Sequence, residues 1–201
     1  SNLQNKIVVC FTVPILFMIL VGVIAYRKAS TGMSQQFLDS TEKTMNMTVS
    51  YMEAINSFVA GEALKYAFDT DLNRYFSGVY EKDGYAVERK KLITNQKTNL
   101  LSTQSGNDFI SNVHIIPSQD LTLISTTNSD SPNGFFAEYQ EEVSQQSGGG
   151  RGNVWTDWHH VLDSHMKLSD KRYIMAYQIQ SKNNKAMSVV EIKQESVVEL
   201  R

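Results

Sequence analysis

Phe109-Ile110-Ser111-Asn112-Val113-His114-Ile115-Ile116-Pro117-Ser118-Gln119-Asp120-Leu121-Thr122-Leu123-Ile124-Ser125-Thr126 is where the chain changes its period. Two β-rich runs, 109–116 and 121–126, flank Pro117-Ser118-Gln119-Asp120, which supplies turn chemistry, so the stretch reads as a hairpin. Downstream, Ser129 to Gly134 breaks the chain, Phe135 to Val143 makes a short helix, and Gly148-Gly149-Gly150 is a flexible connection. Three more strands are expected at Asn153 to Trp158, Arg172 to Gln180 and Ala186 to Ile192. The last two join across Lys182-Asn183-Asn184-Lys185, and a helical turn from Glu195 to Leu200 follows.

Upstream of the hairpin the pattern is helical. Met45, Val49, Met52, Ile55, Val59, Ala63 and Tyr66 recur at three- and four-residue steps, with Glu42, Lys43, Glu53 and Glu62 between them. That is one amphipathic stripe. It reads first as a core-facing stripe and second as a dimer seam, and one long helix has room for both. Further helices are expected around Asp71 to Tyr80 and from Ala86 to about Leu101. Helices first, then a hairpin, a helix and three strands imply an α+β domain: a mainly antiparallel sheet of about five strands with helices on one face.

The long helix begins in an uncharged run, Ile7 to Tyr26, closed by Lys6 on one side and Arg27-Lys28 on the other. At about 1.5 Å per residue it reaches roughly 30 Å, the thickness of a bilayer's hydrocarbon core. Pro14 is compatible with such a helix. A cleaved signal peptide is the rival reading, but the run is long for one and Tyr26-Arg27-Lys28 lacks a small-residue cleavage site. The expected division is therefore a tail at 1–6, a transmembrane helix at 7–26, a long membrane-proximal helix with short helices at 27–105, and the sheet at 106–201. The basic residues after the helix outnumber the one before it, which by itself favours a cytoplasmic soluble part. The sequence has no initiator Met and ends at Leu200-Arg201, and is expected to be part of a longer protein.

A formal net charge of −2 gives no basic surface for nucleic acid. The single cysteine, Cys10, lies within the apolar run, so the rest of the chain has neither disulfides nor thiolate metal ligands. No catalytic constellation stands out, and no cofactor is expected. His114, His159, His160 and His165 lack the spacing of a zinc motif. Gly148-Gly149-Gly150-Arg151-Gly152 lacks the Lys-Ser/Thr of a phosphate loop. The more informative set is aromatic: Trp155 and Trp158 precede a strand whose two-residue period puts Tyr173, Met175, Tyr177 and Ile179 on one face. As a set these are either core aromatics or the wall of a pocket for a small ligand. Arg172 is placed either to clamp a ligand carboxylate or to make a surface ion pair.

The layout resembles the extracytoplasmic, PAS-like sensor domains of the Cache group, especially those of methyl-accepting chemotaxis receptors. The residues that carry the resemblance are Ala25-Tyr26-Arg27-Lys28-Ala29-Ser30, Leu123 to Thr127, Trp155-Thr156-Asp157-Trp158-His159-His160-Val161-Leu162-Asp163, and Met187 to Lys193. A glycine expected close to the second aromatic is absent, with Asp157 and Trp158 in its place. The resemblance implies a sensor domain outside the cell membrane, an N-terminal tail inside and a homodimer. It also implies a cytoplasmic signalling module beyond Arg201, and either a second PAS-like module or a second membrane helix. Trp155, Trp158, Arg172, Tyr173 and Tyr177 would then line a site for an amino acid, carboxylate or amine. Rival readings are the input domain of a histidine kinase or diguanylate cyclase, a membrane-anchored metal-dependent hydrolase, and a spacer that binds nothing.

Overall fold

A computed structural model of the chain describes residues 2–127, 134–147, 153–167 and 173–198. The chain divides into two compact units, 1–52 and 53–201. Helix α1, Asn2–Ala67, begins in the first unit and ends in the second. In the first unit it carries the segment long and apolar enough to cross a membrane, with its side chains exposed.

The second unit is α+β. After α1 come α2 (Thr70–Phe76), a single 3-10 turn (Val79–Glu81) and α3 (Ala86–Ser105). Then follow β1 (Ile110–Pro117), β2 (Ile124–Ser125), α4 (Phe136–Gln146), β3 (Val154–Thr156), α5 (His160–His165), β4 (Tyr173–Gln180), β5 (Ala186–Lys193) and α6 (Glu195–Val198). The five strands form one sheet in the order β2-β1-β5-β4-β3, and every neighbouring pair is antiparallel. The β4–β5 turn carries Asn184 at φ 55°, in the left-handed region that asparagine tolerates.

Helices cover both faces of this sheet, where the strand pattern leads one to expect a single covered face. On one face Ile55, Val59 and Ala63 of α1 pack with α2, α3 and inward residues of β1 and β5. On the other, Phe136, Tyr139 and Val143 of α4 and Leu162 of α5 pack on Ile116, Ala176, Met187 and Val189. The physical reason is visible in β5, buried along nearly its whole length, which no one-sided sheet allows. The stripe expected on α1 is buried from Ile55 onward.

Side chains and turns fix the helices to the sheet. Asp69 caps α2 by accepting from the Leu72 amide at 2.8 Å. The Tyr66 and Thr103 hydroxyls join α1 to α3 at 2.7 Å. The Lys182 amide, in the β4–β5 turn, donates to the Ala67 carbonyl at the end of α1. From the same turn Asn183 donates to the Asn73 carbonyl of α2 at 3.1 Å.

Candidate functional site

The α4–α5 face of the sheet is apolar at its margins and polar at its centre. His114, Gln178 and Glu191, one from each of the three central strands, are fully buried there, with Thr156, His159 and Asp163 buried beside them. Such a concentration is costly unless each group is paired. Two irregularities in the ladder build it. The β1–β5 register shifts between Ile110 and Val113, and the β4–β5 register shifts between Tyr173 and Met175. Both flank the same end of β5, and bulges re-aim side chains in this way. The first shift brings Asn112 to Glu191, to which it donates at 2.8 Å. The second puts Tyr173 on the α4–α5 face with Ala176, while Met175 joins the α1 face.

Tyr173 and Asp163 form the first part of the network. The Tyr173 hydroxyl donates to the Asp163 carboxylate at 3.2 Å and accepts from the His159 amide at 2.7 Å. The Trp158 indole N–H donates to the same Asp163 oxygen, Oδ2. Burial pushes the Asp163 carboxyl up to about 6, with the Glu191 charge adding to it and the Trp158 and Tyr173 hydrogen bonds opposing it. Burial, again with Glu191 adding, holds the Tyr173 phenol well above its ordinary value.

The second part surrounds His159. Gln178 donates from Nε2 to Thr156 Oγ1 at 3.0 Å and to the Val154 carbonyl at 2.9 Å, and accepts from the Tyr139 hydroxyl at 3.3 Å. The Thr156 hydroxyl lies against His159 Nε2. The Thr156 hydroxyl has two acceptors in reach, His159 Nε2 and Gln178 Oε1 at 3.2 Å, so either tautomer of His159 satisfies Nε2. Burial lowers the His159 pKa to about 4, Glu191 pulling the other way, so the ring is neutral at pH 7. His159 Nδ1 is buried without a hydrogen-bond partner. His114 Nδ1 meets Ser125 Oγ at 2.7 Å. Its Nε2 lies 3.3 Å from Glu191 Oε1, and neither atom has a hydrogen bond.

Local sequence explains how α5 is held over this site. The segment after Trp158 and His159 is a six-residue helix. Glu142 of α4 accepts from the His160 and Val161 amides at 2.7 and 3.1 Å, so its charge satisfies donors at the start of α5.

The aromatic residues singled out in the sequence divide between the two faces. Tyr173 and Trp158 belong to the network. Trp155 and Tyr177 are cross-strand partners with ring centroids 5.0 Å apart, and both pack on the opposite, α1 face. The expectation of one aromatic face is corrected by the bulge, which interrupts the two-residue period between Tyr173 and Met175. Arg172 and the segment Gly148 to Gly152 lie outside the described residues. Sequence reading missed Gln178, Glu191, His114 and Asn112. Their one available signal was polarity inside strands otherwise made of apolar and β-branched residues.

Among the described residues no three His, Cys, Asp or Glu side chains converge as ligands of a metal ion. No protein-family model matches the chain, and no curated protein is significantly similar to it. Fold and site together define an α+β chain with a membrane-length N-terminal helical segment and a buried acid–imidazole–amide network on one sheet face.

Proposed function

We propose that the chain is a ligand-sensing domain of a membrane receptor, anchored by Ile7–Tyr26 and facing the outside of the cell, with a chemoreceptor as the preferred class of parent protein. The reading is carried by His159 Nδ1, a buried ring nitrogen without a hydrogen-bond partner, on the sheet face that also buries the His114–Glu191 pair. An unsatisfied buried polar group costs about 1 to 3 kcal/mol, which a fold retains where a ligand or a functional proton makes use of it. Polar groups so placed suit a small polar solute such as an amino acid, a carboxylate or an amine. Binding would shift α4 and α5 against the sheet and, across the sheet, bias the packing of α1. A shift on the order of 1 to 2 Å in a helix is the usual size of such a switch. Its extent is bounded by the ligand's differential affinity for the two states.

The test is thermal unfolding of the chain in lipid nanodiscs against a panel of amino acids, carboxylates and amines. A true ligand at a hundred times its Kd stabilises by about 2.7 kcal/mol. The shift should disappear in Asp163→Asn or His159→Gln and persist in Trp155→Phe. A panel without any stabilising member would sink the sensing reading, and a shift lost only in Trp155→Phe would move the site to the other face.

A further inference from the structure

Between the 3-10 turn, α3 and the β1–β2 turn runs a groove of about 410 Å³, on the side of the sheet away from His159 and Asp163. Its floor is apolar: Tyr75 and Leu121 belong to the core on the α1 face, and Ile93 packs against that core. One wall is α3, where Lys90 and Thr94 stand one turn apart. The other is the β1–β2 turn, with Asp120 and Thr122. Both walls are fixed in place. The buried Tyr75 hydroxyl accepts from the Thr122 amide at 3.0 Å, which ties the turn to α2. The Arg89 guanidinium donates to Glu81 at 2.8 Å, which ties α3 to the 3-10 turn. One cation and one anion of the groove stay uncommitted, because among the described residues the side chains of Lys90 and Asp120 make no ion pair or hydrogen bond.

We infer that this groove is a binding site of its own for a short peptide with free termini, its carboxylate on Lys90 and its ammonium on Asp120. The inference stands independently of the ligand reading of the α4–α5 face. The lining is charge-balanced, with Glu81 closed on Arg89 and Lys90 set against Asp120. A zwitterion complements both walls, where a lone carboxylate or a lone amine would match only one. The volume falls in the range of about 300 to 1,000 Å³ usual for small-molecule pockets, and a single free amino acid would leave much of it unfilled. Thr94 and Thr122, one on each wall, bring hydroxyls suited to the peptide amide between the charged ends, and the floor accepts an apolar side chain. Because both walls are already pinned, little ordering entropy opposes binding.

Calorimetric titration of the full chain in lipid nanodiscs tests this, with alanyl-leucine, its N-acetylated and C-amidated forms, and free leucine as probes. The unblocked dipeptide should bind, and each blocked form about fivefold more weakly, the worth of one partly exposed ion pair. The variants assign the two ends. Amidation should lose its effect in Lys90→Ala and acetylation in Asp120→Ala, while each keeps its effect in the other variant. Both positions are exposed, so neither substitution threatens the fold. Asp163→Asn, in the network on the other face, should leave dipeptide binding unchanged. An absence of heat at millimolar dipeptide, equal affinity for blocked and unblocked forms, or free leucine binding as tightly as the dipeptide would overturn the inference. Binding lost in Asp163→Asn but kept in Lys90→Ala would overturn it as well, and would put the peptide in the α4–α5 site instead.

Discussion

Asp163 and His159 sit in the same network, and acidification acts on them in opposite senses. The folded Asp163 carboxyl, pushed from 3.8 to about 6, binds its proton more readily than in the unfolded chain. Stability from this group is therefore greatest at low pH and falls as pH rises from about 4 to 6. The folded His159 imidazole, lowered from 6.5 to about 4, binds its proton less readily than in the unfolded chain. Its contribution is complete above about 6.5 and is lost as pH falls toward 4. At about 1.4 kcal/mol per unit, shifts of roughly two units each nearly cancel between pH 4 and 6. Asp163→Asn, which keeps an oxygen for Trp158 and Tyr173, should unmask the histidine and lose about 2 kcal/mol on acidification across that window. His159→Gln should do the reverse and gain stability as pH falls. Denaturant titrations of the two variants at several pH values read the slopes directly, and parallel slopes would contradict the assignment.

At the scale of elements, α1 and the β4 bulge make contrasting demands. Ile55 is buried against the sheet, so Ile55→Ala should cost about 2 to 4 kcal/mol. Val49, nearly two turns earlier and exposed, should tolerate alanine within about 0.5 kcal/mol. The difference is measurable in one denaturation series. That stripe was legible because a helix announces its buried face locally, by spacing alone. Tyr173 was not. Its side is decided by one extra residue between it and Met175, and strand periodicity counts straight through a bulge. Deleting Ile174 should return Tyr173 to the α1 face, break its bonds to Asp163 and His159, and abolish the near-ultraviolet dichroism of Trp158. Helix α5 escaped notice for a related reason: at six residues it shows little period, and two of its first amides are satisfied by Glu142 from a different helix.

For the molecule as a whole, the membrane-length segment was the most legible feature, since an uninterrupted apolar run needs no tertiary partner to be recognised. Leu16→Arg, near its centre, should raise the cost of insertion by about 3 kcal/mol and shift the chain toward the alkali-extractable fraction. The buried network was the least legible. Its members come from β1, β3, the segment after β3, α4, α5, β4 and β5, and only the topology that seats β5 between β1 and β4 assembles them.

That central position also limits how the sheet can move. Along β5, Met187, Val189 and Glu191 point to the α4–α5 layer while Ala186, Val190 and Ile192 point to the α1 layer, so a one-residue slip would exchange the two linings. Sliding is thereby locked, and the ladders to β1 and β4 along its two edges resist rotation of the strand about its own axis. β5 is a keyed strip: it holds Glu191 in one lining and Val190 and Ile192 in the other at a fixed mutual offset.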